Sequence, residues 1–338
     1  MRVGLTYDLR DDYRALGGFS ETALAEFDSP ETIDALAGAL AANGCTVERI
    51  GHIRSLTQRL VAGERWDLVF NICEGIAGRN REAQVPALLE AYGIPYVFSD
   101  PLTLSVTLDK AVAKRLVREA GLPTAPFAVI ESDADARNCT LPFPVFVKPL
   151  AEGTGKGCER ASKANDRKAL VAAARSLRAR FNQPAIAETF LPGREFTVGI
   201  VGNGAAARIV AVMEILLLQN AEPEVYSFEN KELCESRVEY RLADDAEARA
   251  AGDIALAAYR TLGCRDGGRL DLRSDANAVP QFLEVNPLAG LHPTHSDLPI
   301  LAGLAGMDYQ SLIGEILQAA KLRTGVAAQA RRRRRIPA

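Results

Sequence analysis

The alternation of strand and helix patterns over the first hundred residues predicts an α/β fold built on a doubly wound parallel sheet. Two later hairpin patterns predict an α+β arrangement in the C-terminal part. Between them, the apolar run FPVFVKPL passes straight into AEGTGKG, a strand ending at a glycine-rich loop.

In chain order, residues 3–7 read as a strand and 30–43 as a helix, with Ile33, Leu36, Ala37 and Leu40 on one face and Gly44 at the C′ position. A strand (46–50), a helix (55–61), a strand (67–72), a helix (82–92) and a strand (95–98) follow. A second unit starts near Asp109. A basic amphipathic helix (110–120) stops at Gly121 and Pro123, and strands are expected at 127–130 and 143–147. The glycine-rich loop (152–157), a helix (166–179) and a strand (185–190) complete this unit. Strands 196–201 and 207–215 flank Gly202-Asn203-Gly204, a hairpin turn signal. A helix (244–262), a second hairpin (269–275 with 281–286) and one long final helix (300–322) close the pattern.

With 338 residues, 48% of them apolar, the chain can bury a large core, and its length suggests two or three domains. The net charge of −3 gives the body no electrostatic call for nucleic acid or a membrane surface. Six cysteines are scattered without a CxxC pair, which suits reduced thiols better than disulfides or a zinc site. The opening MRVGLTYDLR has no signal-peptide character, and no apolar run reaches the roughly 20 residues of a membrane span. A cytoplasmic protein is expected.

The second hairpin carries the most specific chemistry. Strand side chains alternate faces, so in GGRLDLRSD Arg269 and Asp271 share one face while Leu270 and Leu272 share the other. In FLEVNP, Glu284 and Asn286 point together with Leu283 and Val285 behind them. Paired, the strands present Asp271, Glu284 and Asn286, an oxygen ligand set of the kind magnesium takes beside phosphate. Arg269 is placed to meet charge on a phosphate or a tetrahedral oxyanion. A solvated polar face on an edge hairpin is the plainer alternative. Lys148, at the end of its strand, can reach phosphate oxygens, and Gly153, Gly155 and Gly157 let loop N–H groups approach the same atoms. The lysine precedes the glycines, so this is not a Walker A loop. In AIAETFLPGREFTV, Glu188 and Glu195 bracket a Pro-Gly turn, a place for a linker that hydrogen-bonds a purine and its ribose.

The stretches LDKAVAK (108–114), AGLPTAPF (120–127), FPVFVKPLAEGTGKG (143–157), ETFLPGREFTV (188–198), LGCRDGGRLDL (262–272) and FLEVNPLAGLHPTHSDLP (282–299) occur in an order that resembles the D-alanine–D-alanine ligase branch of the ATP-grasp superfamily. The resemblance implies an ATP-grasp fold: a Rossmann-like N-terminal domain (1–108), a central subdomain with the lid loop (109–192), a C-terminal subdomain with the metal site (193–325) and a basic tail (326–338). It implies that Lys110 and Lys148 grip ATP phosphates under a lid at Thr154 and Gly155. Glu188 and the Leu191 backbone would hold adenine, and Glu195 the ribose. Lys231 would reach the γ-phosphate from a mobile segment near 218–236. Asp271, Glu284 and Asn286 would hold two magnesium ions, for which manganese could substitute. Arg269 with the Gly290 backbone would form the oxyanion site, and Ser296 would receive the second substrate's carboxylate. The partners implied are small amino-acid-like substrates and a second copy of the chain in a homodimer.

Substrate-facing positions depart from the family. Glu26 and Asp28, in AEFDSPETI, lie near the family's amine-binding glutamate without aligning cleanly, and Glu232 stands where a tyrosine follows the mobile-loop lysine. The loop PLAGLHPTHSD differs from the family's, leaving His292 and His295 as substrate-contact candidates. The expected reaction is amide formation through an acyl-phosphate. The alternatives are a ligase for other amino acids or peptides, and an inactive ATP-binding regulator. The run Arg331–Arg335 could meet nucleic acid or acidic lipid, or be a terminus without function.

Overall fold

The computed structural model describes residues 1–20, 24–222 and 224–326, so the arginine run at 331–335 lies outside the described residues. Among the described residues, three sheets organise the fold. Strands β1 (Arg2–Thr6), β2 (Thr46–Gly51) and β3 (Leu68–Asn71) form a parallel sheet in the order β2-β1-β3. Strands β4 (Phe127–Ile130), β5 (Val145–Pro149), β6 (Lys163–Ala164) and β7 (Ala185–Thr189) form an antiparallel sheet in the order β4-β7-β5-β6. Strands β8 (Glu195–Val201), β9 (Arg208–Leu217), β10 (Val238–Leu242), β11 (Gly267–Ser274) and β12 (Pro280–Asn286) form a second antiparallel sheet, β10-β9-β8-β11-β12.

The parallel sheet is covered on both faces. Val3, Leu5 and Phe70 pack with Ile33, Leu36 and Leu40 of the helix Pro30–Ala42, while Val69 packs with Leu56, Leu60, Trp66 and Leu89 on the other side. Gly4 makes the second face possible, because a Cβ there would stand 2.5 Å from Ile50 and 3.1 Å from Trp66. Leu312, Ile316 and Leu317 of the C-terminal helix join the first of these cores, so the end of the chain completes the packing of its beginning.

Several elements differ from expectation. The strand expected at 95–98 is reduced to one bridge between Val69 and Tyr96, since Phe98 adopts a φ of 75° and turns its N–H to the buried Asp266 carboxylate (2.9 Å). The helix Pro101–Leu108 was signalled by Asp100-Pro101, an N-cap followed by proline at N1. The helices Arg10–Leu16 and Asp133–Asn138 are also additional. The first hairpin turn is wider than Gly-Asn-Gly, with a 3-10 turn at Gly204–Ala206 before β9 begins. The final helix is two, Asp297–Leu304 and Tyr309–Thr324, broken where Gly306 takes a φ of 81° and Asp308 caps the second. Residues 228–237 form two short helices, Phe228–Glu232 and Cys234–Arg237, leading into β10.

Candidate active site

The β11–β12 hairpin pairs Asp271 directly with Glu284 and Arg269 with Asn286, as side-chain parity requires. The register slips between Asp271 and Leu272, leaving Leu283 as an extra residue. This bulge corrects the expected apolar face. Phe282, fully buried, fills the core beside Leu270, Leu272 and Val285, whereas Leu283 turns out to line the cleft.

That cleft lies between the two antiparallel sheets. Lys148 at the end of β5, Gly155 and Lys156 of the glycine loop, Glu188 and Leu191 after β7, Glu195, Lys231, Asp271 and Glu284 all face it. Lys148 stands 3.1 Å from Glu188 and 3.6 Å from Glu284, and Lys110 stands 3.4 Å from Glu284. Burial opposes the charge on both partners, but Lys110 and Lys148 outweigh it and hold the Glu284 carboxyl far below its ordinary value. The Lys148 ammonium is likewise pushed up despite burial, by Glu188 and then Glu284. Asp271 accepts from the Thr197 hydroxyl (2.9 Å) and pairs with Arg269 at 3.3 Å; burial holds its carboxyl above the ordinary range. Asn286 brings its amide to 3.5 Å from Asp271. The three residues offered as metal ligands are therefore brought together. Two carboxylates and an amide oxygen, all hard donors beside two ammonium groups, fit a magnesium ion carrying phosphate.

The purine-binding reading needs modification. Glu188 is buried between Lys114 (2.7 Å) and Lys148, whose charges hold its carboxyl low against burial. A purine amine would be its third partner. Lys114, fully buried, also donates to the Phe282 carbonyl and the Thr124 hydroxyl, and sequence reading did not single it out. Glu195 pairs with Arg273 at 3.2 Å, and burial raises its carboxyl. Lys231 lies 4.6 Å from the Tyr226 ring centre. A Cβ on Gly155 would meet the Lys231 stem at 3.4 Å, so the loop and the helix Phe228–Glu232 close over the cleft together. Thr154 has a φ of 54° and faces a neighbouring cavity.

That second cavity is bounded by Arg269, Asn286 and Gly290 from the C-terminal sheet and by Glu26, Glu74 and Glu82 from the N-terminal unit. Here the substrate-binding expectations are corrected. Glu26 faces the cavity, but its carboxylate accepts the Gly153 N–H (2.7 Å) and pairs with Lys156 (2.8 Å) and Arg81 (3.3 Å). It clamps the glycine loop to the N-terminal unit. Asp28 is not among the lining residues. Its backbone is held in a parallel bridge to Leu9, and burial with the nearby Asp8 charge pushes its carboxyl up to about 8. His292 and His295 face neither cavity; their rings stack edge to face at 6.1 Å, and the His295 Nδ1 lies 3.8 Å from the Cys234 thiol. Ser296 precedes the helix Asp297–Leu304, and its hydroxyl accepts the His292 N–H at 3.0 Å against Gly290. Arg269 also pairs with Asp297, a residue that sequence reading missed, and Tyr226 donates to the same carboxylate at 3.2 Å. Its position directly after Ser296 was the available signal.

The chain is similar to proteins of one family along most of its length. A family model described as D-ala D-ala ligase C-terminus matches residues 116–318. A D-alanine–D-alanine ligase of Bordetella petrii is 35% identical over 271 residues, covering 79% of each chain. An uncharacterised protein, y4sG, of Sinorhizobium fredii is 34% identical over 264 residues, 76% of this chain and 75% of that one. Among solved structures, the D-alanine–D-alanine ligase of Bacillus anthracis complexed with ATP superposes with a TM-score of 0.71 at 19% identity, covering 96% of this chain and 99% of the other, a likeness of fold. The chain belongs to the D-alanine–D-alanine ligase family and is an ATP-grasp ligase.

Proposed function

We propose that the protein joins the carboxylate of one small amino acid to the amine of a second, consuming ATP and passing through an acyl-phosphate, in the manner of its D-alanine–D-alanine ligase relatives. The observation that carries this reading is the cross-strand pair Asp271–Glu284 with Lys110 and Lys148 at 3.4 and 3.6 Å from Glu284. ATP lies in the cleft, with adenine near Glu188 and Leu191, ribose at Glu195, and phosphates beneath Thr154 and Gly155. Asp271, Glu284 and Asn286 hold the divalent ions, two of magnesium on this reading, which when bound neutralise phosphate charge. Lys148, Lys110 and Lys231 position the γ-phosphate for attack by the donor carboxylate. Arg269 and the Gly290 N–H stabilise the oxyanion formed when the acceptor amine adds, with Asp271 and Asp297 holding the guanidinium in place. Ser296 takes the acceptor's carboxylate.

The cleft as it stands encloses about 90 Å³. Small-molecule sites typically have roughly 300–1,000 Å³, so the glycine loop lifts to admit ATP and closes to exclude water from the acyl-phosphate. We further assign the Rossmann-like, central and C-terminal units to 1–108, 109–192 and 193–325, with a cytoplasmic homodimer as the working form. Among the described residues no helix is long and apolar enough to cross a membrane. The test is ADP release with pairs of D- and L-amino acids, with mass detection of the product. Amide formed in step with ADP supports the proposal; ATP binding without ADP release for any pair favours an inactive regulator.

A further inference from the structure

The second cavity holds two carboxyl groups that no described residue neutralises by contact. Glu82 lies in the tight turn Arg81–Ala83 and is about nine-tenths buried, yet no hydrogen bond or ion pair reaches its carboxylate among the described residues. The adjacent Arg81 is directed instead to Glu26 and to the Ala151 carbonyl (2.9 Å). Glu74, part-buried in the loop after β3, is in the same state and faces the same cavity. The other acidic groups there are matched: Glu26 by Lys156 and Arg81, Glu152 by Lys156, Glu284 by Lys110 and Lys148. Burial, followed by the Glu82 charge, holds the Glu74 carboxyl well above its ordinary value. Burial also pushes Glu82 up to about 7. The Arg81 charge opposes both shifts and Lys110 that of Glu82, but neither cation makes an ion pair with these two groups.

We propose that Glu74 and Glu82 form a seat for two positive groups, so that the carboxylate donor is a small diamino acid with its second amine on a short side chain. This rests on the ligase reading above. The donor carboxylate goes toward Arg269, Gly290 and Asn286, which bound the same cavity, and the amines go toward the N-terminal unit. A donor with one ammonium pairs with one carboxylate and leaves the other protonated and idle, whereas a second ammonium recruits it as a further charge pair. With the glycine loop closed over it at Gly153 and Thr154, the cavity holds about 90 Å³, which suits a small amino acid rather than an oligopeptide. Glu26, the earlier candidate for this role, is already occupied by the glycine loop.

The experiment compares alanine, 2,3-diaminopropionate and 2,4-diaminobutyrate, in both enantiomers, as donors to a fixed set of acceptor amino acids. Steady-state ADP release is followed for the wild type, Glu74→Gln and Glu82→Gln, with thermal unfolding as a check on folding. A diamino acid is expected to have a KM about tenfold or more below that of alanine. Each Gln variant is expected to raise that KM about tenfold while the KM for ATP stays unchanged. Should Glu82→Gln fail to fold, the part-buried Glu74→Gln carries the same readout. Alanine preferred by the wild type, with the Gln variants unchanged, overturns the assignment and leaves the ligase reading standing. Silence with every donor and acceptor overturns both.

Discussion

Asp28 illustrates how a single carboxyl in this fold can work against stability. Its proton is held up to about pH 8, first by burial and then by the charge of Asp8, whereas an unfolded aspartate releases it near pH 4. Between those values the folded chain carries a proton the unfolded chain has lost, so stability falls as pH rises through that window. Asp28→Asn removes this dependence. Urea denaturation should show the variant gaining on the wild type between pH 5 and pH 8; an equal difference at both pH values contradicts the assignment. Glu188 has the opposite sign, its lowered carboxyl contributing stability above the unfolded value and losing it as the solution becomes more acid. At this scale the sequence was readable wherever parity or a strand end places a group, as for Asp271, Glu284, Asn286 and Lys148. It was silent on Lys114, Glu74 and Glu82, whose significance is whom they face across the fold, a property of tertiary contact rather than spacing.

Among the elements, the bulge in β12 has the most consequence. Strict alternation would send Leu283 into the core; the extra residue instead gives that place to Phe282 and turns Leu283 to the cleft. Phe282→Ala should therefore cost about 3–5 kcal/mol of stability. Leu283→Ala should cost no more than about 1 kcal/mol and should raise the KM for ATP several-fold. Denaturation and the ATP dependence of ADP release measure the two effects, and equal destabilisation with an unchanged KM contradicts the register. No composition rule announces such a bulge. The helix Pro101–Leu108, by contrast, carried its own signal in Asp100-Pro101, and the break at Gly306 was marked by a glycine followed by the capping Asp308. Those two differences lay within reach of local chemistry.

For the molecule as a whole, the alternation of strands and helices and the two hairpins were enough to anticipate a parallel sheet and a C-terminal antiparallel one, but not that the central sheet is antiparallel too. They did not show how the ends of the chain meet. Asp266, fully buried, accepts the Phe98 N–H and pairs with Arg323 at 2.5 Å, tying the N-terminal unit, the C-terminal sheet and the last helix to one carboxylate. The same closure brings Glu74 and Glu82 to the cavity that Arg269 and Gly290 border, so the site requires all three units. On the proposed reaction, the hairpin carboxylates, set against Lys110 and Lys148, organise the transferred phosphate. The direct measurement is amino-acid-dependent ADP release by Glu284→Ala, beside its thermal unfolding. Loss of turnover with cooperative unfolding retained is the result expected; near-normal turnover in the folded variant would contradict it.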